Sequence, residues 1–121
     1  MNIVVTGRIP SKKNSKSAFV IRGRAIITDN PAYKKWHKDA SKQIQAQRTG
    51  SLPLKGVNRV FFTFFAPDAR TTDLSNKWES VADLLVDCGI IQDDNCNELP
   101  SILLQFGGID RANPRAEVLL Q

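Results

Sequence analysis

Residues 73–94 read DLSNKWESVADLLVDCGIIQDD, and the placing of this stretch decides the fold around it. Leu74, Trp78, Val81, Leu85 and Cys88 recur at i, i+4, i+7, i+11 and i+14, one narrow apolar face at about 100° per residue. The spacing predicts an amphipathic helix. Thr71 or Thr72 is placed to cap its start, and Gly89 suits the left-handed position just past its end. Opposite the apolar face lie Glu79, Asp83 and Asp87, successive i, i+4 neighbours of like charge, each pair costing about 0.2–0.5 kcal/mol. Asp83 and Asp87 also occupy the C-terminal half, where the helix dipole disfavours carboxylates. Asp93 and Asp94 follow closely, and a turn at Gly89 lets them come back alongside. A solvated face is the ordinary meaning of a charge run, and Asp73 alone is explained by a first-turn position. Six acids against the single Lys77 ask for more.

The flanking sequence supplies strands and a second helix. Residues 2–9 are β-branched and alternate loosely, as a strand does. Residues 10–16, PSKKNSK, read as a loop crowded with lysine. Residues 18–21 and 25–28 flank Arg22-Gly23-Arg24 and predict a hairpin. Asn30-Pro31 marks a helix start, with Asn30 as cap and proline in the first turn. That helix is expected to reach Arg48 and to bury Trp36, Ala40 and Ile44, with His37 on its surface. Residues 57–66, VNRVFFTFFA, predict a central strand closed by Pro67. Residues 99–106 and 115–120 are the expected final strands. The order β-ββ-α-β-α-β-β implies one α+β domain over residues 1–121, a small mixed sheet with two main helices packed against it.

Bulk composition narrows the function. The chain has 121 residues and a formal charge of +5, unevenly spread. Residues 1–60 hold 13 Lys and Arg against Asp29 and Asp39, a net of +11, whereas residues 61–121 carry a net of −6. A basic half suits a polyanionic partner, because neutralising phosphates releases condensed counterions. An acidic half on the same small domain repels that partner unless a cation stands between them. Cys88 and Cys96 fit neither a disulfide framework nor a zinc knuckle, and read as free thiols of a reducing cytoplasm. No apolar run approaches the ~20 residues of a membrane span, and the N-terminus lacks the pattern of a signal peptide.

The residue types also limit the chemistry. No histidine is placed as a general base, and no G-x-S-x-G elbow, glycine-rich phosphate loop or E-x-K nuclease motif is present. Water activated by a metal ion is the nucleophile that remains. Magnesium takes oxygen ligands, keeps several waters, and rests on a few carboxylates plus substrate phosphate.

Residues 70–85, RTTDLSNKWESVADLL, followed by residues 89–95, GIIQDDN, resemble the RusA family of Holliday junction resolvases. The loop PSKKNSK is also similar to that family's opening loop, so the resemblance covers most of the chain. It implies a RusA-like α+β homodimer that nicks four-way DNA junctions symmetrically with magnesium, or with manganese. It implies a cytoplasmic setting in a bacterial or phage-infected cell, and no small-molecule cofactor. Position by position, Asp73 corresponds to the first catalytic aspartate and Asp94, with Asp93 beside it, to the later pair. Asn76 and Asp83 match family positions on the helix.

Three positions depart from the family pattern D-L-D-N-L-x-K. This chain has Ser75 and Glu79 where the pattern has its second Asp and its Lys, and Lys77 where it has Leu. Ser75 and Glu79 share a face at i, i+4, so Glu79 is expected to supply the missing acid and Lys77 the displaced positive charge. The expected catalytic set is therefore Asp73, Glu79, Asp94 and Lys77. Asp73, Glu79 and Asp94 are the expected metal ligands, supported by Asp93 and Asp83. Lys12, Lys13, Lys16, Arg70 and Asn76 are the expected DNA contacts. Two other readings stay open: a non-catalytic nucleic-acid-binding module, and an inactive descendant that binds junctions without nicking them.

Overall fold

The most apolar strand of the chain lies at the centre of its sheet. In the computed structural model, which describes residues 1–121 apart from the side chain of Asn14, β4 (Val60–Ala66) is bordered by β6 (Arg115–Leu120) and β5 (Ile102–Ile109). β6 runs antiparallel to β4, and β5 runs parallel to it. β1 (Asn2–Thr6) pairs antiparallel with β6, giving the order β1-β6-β4-β5. The parallel pair requires a crossover, and α2 (Leu74–Asp87) provides it between β4 and β5. β2 (Lys16–Ile21) and β3 (Arg24–Asp29) form a separate hairpin. Arg22 and Gly23 turn it with φ of 52° and 76°, the positive values a tight two-residue connection needs. α1 (Pro31–Gln47) follows. The architecture is a small α+β domain with a mixed sheet and two helices, in the element order the sequence predicts. No helix is long and apolar enough to cross a membrane.

One face of the sheet forms the core. Val60, Phe62, Phe64 and Ala66 alternate inward from β4, joined by Ile3 and Val5 of β1 and by Ala116, Val118 and Leu120 of β6. Ala40 and Ile44 of α1 and Trp78, Val81, Leu84 and Leu85 of α2 close over them. Phe62 meets Trp78 edge to face at 5.4 Å between ring centroids. Gln43 and Gln47 of α1 serve a second purpose. Gln43 accepts from the Thr6 N–H at 2.8 Å, while Gln47 accepts from Val4 N–H at 2.9 Å and donates to Val4 C=O at 2.7 Å. They occupy the outer edge of β1 as a neighbouring strand would.

Several local expectations change. β1 stops at Thr6 rather than Ile9, because Gly7 turns the chain with φ of 101° and ties its N–H to Pro114 C=O. Along α1 the buried stripe is Tyr33, Ala40 and Ile44, and Trp36 is only half-buried. Asp73, not Thr71 or Thr72, caps α2, since its carboxylate reaches the Ser75 N–H. The buried arc of α2 is wider than its apolar stripe. It takes in Ser80, Ala82 and Leu84, so the partly exposed Asp83 and the exposed Asp87 lie beside neighbouring segments and pair with Lys12 and His37. At the other end, Gly89 adopts φ of 73°, with its N–H on Val86 C=O and the Ile90 N–H on Leu85 C=O. That is a complete left-handed helix stop.

Candidate metal and nucleic-acid site

The acids divide between the two ends of α2. At the start, one Asp73 oxygen accepts the Ser75 N–H at 3.0 Å and the Ser75 hydroxyl at 2.7 Å. The other accepts the Asn76 amide at 3.2 Å. The Ser75 hydroxyl, then the Ser75 N–H, and more weakly the charge of Lys13 hold this carboxyl below the ordinary aspartate range. Ser75 thus satisfies Asp73 where a second carboxylate would repel it. Asn76 is committed to the same cap. Glu79, one turn on, is exposed.

Lys77 points away from these acids. Its ammonium donates to Ile9 C=O at 2.6 Å and lies 5.6 Å from the Phe64 ring centroid. Burial, and then the nearby Arg8 charge, push its pKa down against a smaller opposing effect of Asp68. Arg70 lies at the rim, 3.6 Å from Asp68, which also pairs with Arg8 at 3.1 Å.

The other cluster lies towards the far end. Lys12, from a single 3₁₀ turn at Lys12–Asn14, forms an ion pair with Asp83 and sits over the Tyr33 ring. That pairing raises the Lys12 pKa. Asp87 contacts His37 Nε2 at 2.8 Å, so His37 is a partner of α2 rather than a free surface residue. Lys16 pairs with Asp29 across the hairpin, while Lys13 is exposed. A cleft of about 370 Å³ opens here, with Lys12, Lys16, Lys34 and Lys38 facing Asp83 and Asp87. Beyond the helix, Asp93 accepts the Asp94 N–H at 2.7 Å and the Asn95 amide at 3.2 Å. Partial loss of solvent, then the Asp93 side chain, and finally the charges of Asp93 and Asp83 push the Asp94 carboxyl above the ordinary aspartate range.

α2 has 14 residues and is therefore about 21 Å long. Asp73 begins it, and Asp94 lies past its end under the influence of Asp83. Among the described residues no three His, Cys, Asp or Glu side chains gather as a metal-holding group. A cage of Asp73, Glu79 and Asp94 is not assembled within one subunit. The donor set does fit a hydrated ion resting on one or two carboxylates, which is how magnesium is commonly held. Asp93 and Asp94 are the adjacent carboxylates that could hold such an ion, and Asp93 accepts the Asp94 N–H.

Sequence reading passed over three residues. Ser80 is fully buried and its hydroxyl donates to Pro10 C=O at 2.8 Å, pinning the lysine loop to α2. Its one signal was a serine inside the apolar run from Trp78 to Leu85. Tyr33 lies under Lys12, its buried hydroxyl without a hydrogen bond among the described residues. Arg8 reaches Asp68 across 60 residues of chain, a separation that no local pattern reveals.

Fold and site together define a small α+β domain with a basic loop held against an acidic helix. No protein-family model and no curated protein matches the chain.

Proposed function

We propose that this chain is a metal-dependent, structure-selective endonuclease of the RusA type, which nicks branched DNA in pairs as a cytoplasmic homodimer. The observation that carries the reading is the adjacent acid pair Asp93 and Asp94 past the end of α2, near enough to Asp83 to feel its charge, while Asp83 is paired with Lys12 of the lysine loop. Partial burial, and then Asp93, raise the proton affinity of Asp94, and Asp83 ties Lys12 of the basic loop to α2. A bound magnesium or manganese ion supplies Lewis acidity towards a phosphoryl group and a more acidic water. Asp94 and Asp93 are the residues to hold it. Lys12 is anchored by Asp83 and so presents its charge at a fixed place, while Lys13 and Lys16 reach the flanking phosphates. Arg70 contacts the backbone near the start of α2. Phosphate contacts of this kind position DNA, and junction shape supplies the selectivity.

Two-fold pairing follows from the sheet edges. The outer edge of β1 is covered by Gln43 and Gln47, but β5, ILLQFGGI, carries no charge, and its Leu103, Phe106 and Ile109 are about half exposed. Monomeric proteins guard such an edge with charge, proline or a bulge that twists it away. Here β5 carries one extra residue, Gly107, opposite the step from Phe64 to Phe65, yet its apolar side chains stay exposed. A second copy laid antiparallel along β5 covers them, and a closed dimer provides the two related sites that paired nicks require.

A second reading is favoured by the Ser75–Asp73 hydrogen bonds, which turn the first family aspartate into a helix cap. It is a junction binder that no longer cuts. A labelled four-way junction and its component duplex, each with and without Mg²⁺, separate the two readings. Paired nicks in the junction alone support the nuclease; a salt-sensitive band shift without nicks supports the binder. No preference for the junction in either binding or cleavage rejects both.

A further inference from the structure

Arg8, Lys77 and Arg70 surround a cavity of about 170 Å³ between the end of β1 and the start of α2, with Phe64 and Ala66 as its floor and Asp68 as the one acid in its wall. Three cations against one carboxylate leave a surplus of positive charge. Asp68 is shared by Arg8 at 3.1 Å and Arg70 at 3.6 Å. Lys77 has no carboxylate partner among the described residues, and its ammonium is half-buried on a backbone carbonyl. A half-buried ammonium without a counterion is costly, and an anion entering the cavity relieves that cost. A water claims about 30 Å³ of liquid, so the cavity has room for an oxyanion of five heavy atoms. Thr71 and Thr72 also line it, and their hydroxyls are donors to such an ion.

We propose that this cavity is a phosphate-group pocket that seats one backbone phosphate of the DNA, with Lys77 and Arg8 as its principal ligands. The proposal rests on the nuclease reading for the identity of the polymer, and it changes the role of Lys77 from a catalytic group to a phosphate ligand. Arg8, about three-fifths exposed on its side chain, is the entry residue; Lys77 is the fixed charge at the base. Seated there, a phosphate fixes the strand at the start of α2.

Two measurements test it. In the first, inorganic phosphate is titrated against chloride at matched ionic strength, with the amide signals of isotopically labelled protein followed by NMR. Saturable shifts at Arg8, Ile9, Arg70, Thr71 and Thr72 are expected, lost in Arg8→Gln and partly restored in Arg8→Lys. In the second, junction affinity is measured in EDTA across a salt series. Arg8→Gln is expected to weaken binding about five- to tenfold and to lower the salt slope by about one. Absence of saturable shifts at those amides overturns the proposal, and so does an unchanged salt slope in Arg8→Gln. A wild-type protein that never cuts with Mg²⁺, yet shows both effects, refutes the nuclease and leaves the pocket standing.

Discussion

Replacing Ser80 with alanine removes one oxygen from a place where water does not reach. The side chain is fully buried, and its hydroxyl donates to Pro10 C=O at 2.8 Å, with a longer contact to Asn76 C=O at 3.4 Å. A buried hydrogen bond of this kind contributes about 1 kcal/mol net, and leaving its acceptor unsatisfied costs about 1–3 kcal/mol. Pro10 is half-buried and recovers part of its solvation, so the expected loss is about 1–2 kcal/mol. For a domain of this size that lowers Tm by roughly 4–8 °C. Urea denaturation should show a lower midpoint at unchanged slope, because the surface exposed on unfolding is the same. The functional consequence is local. Ser80–Pro10, Lys77–Ile9 and Lys12–Asp83 are the bonds that tie residues 9–12 to α2. With one released, the Ser15 N–H bonded to Lys12 C=O should exchange faster with solvent, and junction affinity should fall severalfold as the loop is ordered at binding. A variant within about 0.3 kcal/mol of wild type, with unchanged Ser15 exchange, refutes this account of how the lysine loop is held.

Other outcomes follow from the same geometry. A Cβ at Gly107 lies 2.6 Å from Phe65 Cε1, and the Phe65 ring is itself stacked under Arg115 at 3.8 Å. Gly107→Ala is therefore expected to destabilise by about 1–3 kcal/mol in urea melts. Asn30→Ala removes the acceptor of the Ala32 and Tyr33 N–H groups, and should cost about 1 kcal/mol in the same assay. Asp73 and Asp94 should differ in their pH dependence. The Asp73 carboxyl is held below its ordinary value, so its stabilising contribution is full above that value and is lost as pH falls through the lower folded one. The Asp94 carboxyl is held above its ordinary value, so it penalises the fold at neutral pH and the penalty is relieved as pH falls through the raised value. Urea melts from pH 3 to 7 should show Asp73→Asn destabilised and Asp94→Asn stabilised at pH 7, the two converging with wild type in acid.

Legibility in the sequence followed the range of the interactions. The α2 periodicity, the Gly89 stop, the Asn30-Pro31 start and the tight turn of the hairpin are each written within a few residues, and all are present in the structure. The α2 cap lies one or two positions later than expected, because threonine and aspartate both serve as caps and the Ser75 contact decides between them. Trp36 and Tyr33 lie three residues apart on one helix, so tertiary packing rather than spacing chose which to bury. Charge partners were the least legible. Lys12 meets Asp83 across 71 residues and His37 meets Asp87 across 50, partners that the helical wheel, which placed both acids opposite the apolar face, does not reveal. The wheel gave direction around the axis but not position along it. It could not show that Asp73 is held as the cap of α2 while Asp93 and Asp94 lie beyond the other end of the helix in sequence.

The claim beneath the rest is that Asp94 and its acidic neighbours hold a divalent cation beside the lysine loop. Manganese, titrated into isotopically labelled protein, broadens the amide signals nearest to it. The account predicts saturable broadening centred on Asp83, Asp93 and Asp94, displaced by excess magnesium and abolished in Asp94→Asn. Broadening spread evenly over the exposed acids, or equal in wild type and Asp94→Asn, contradicts it.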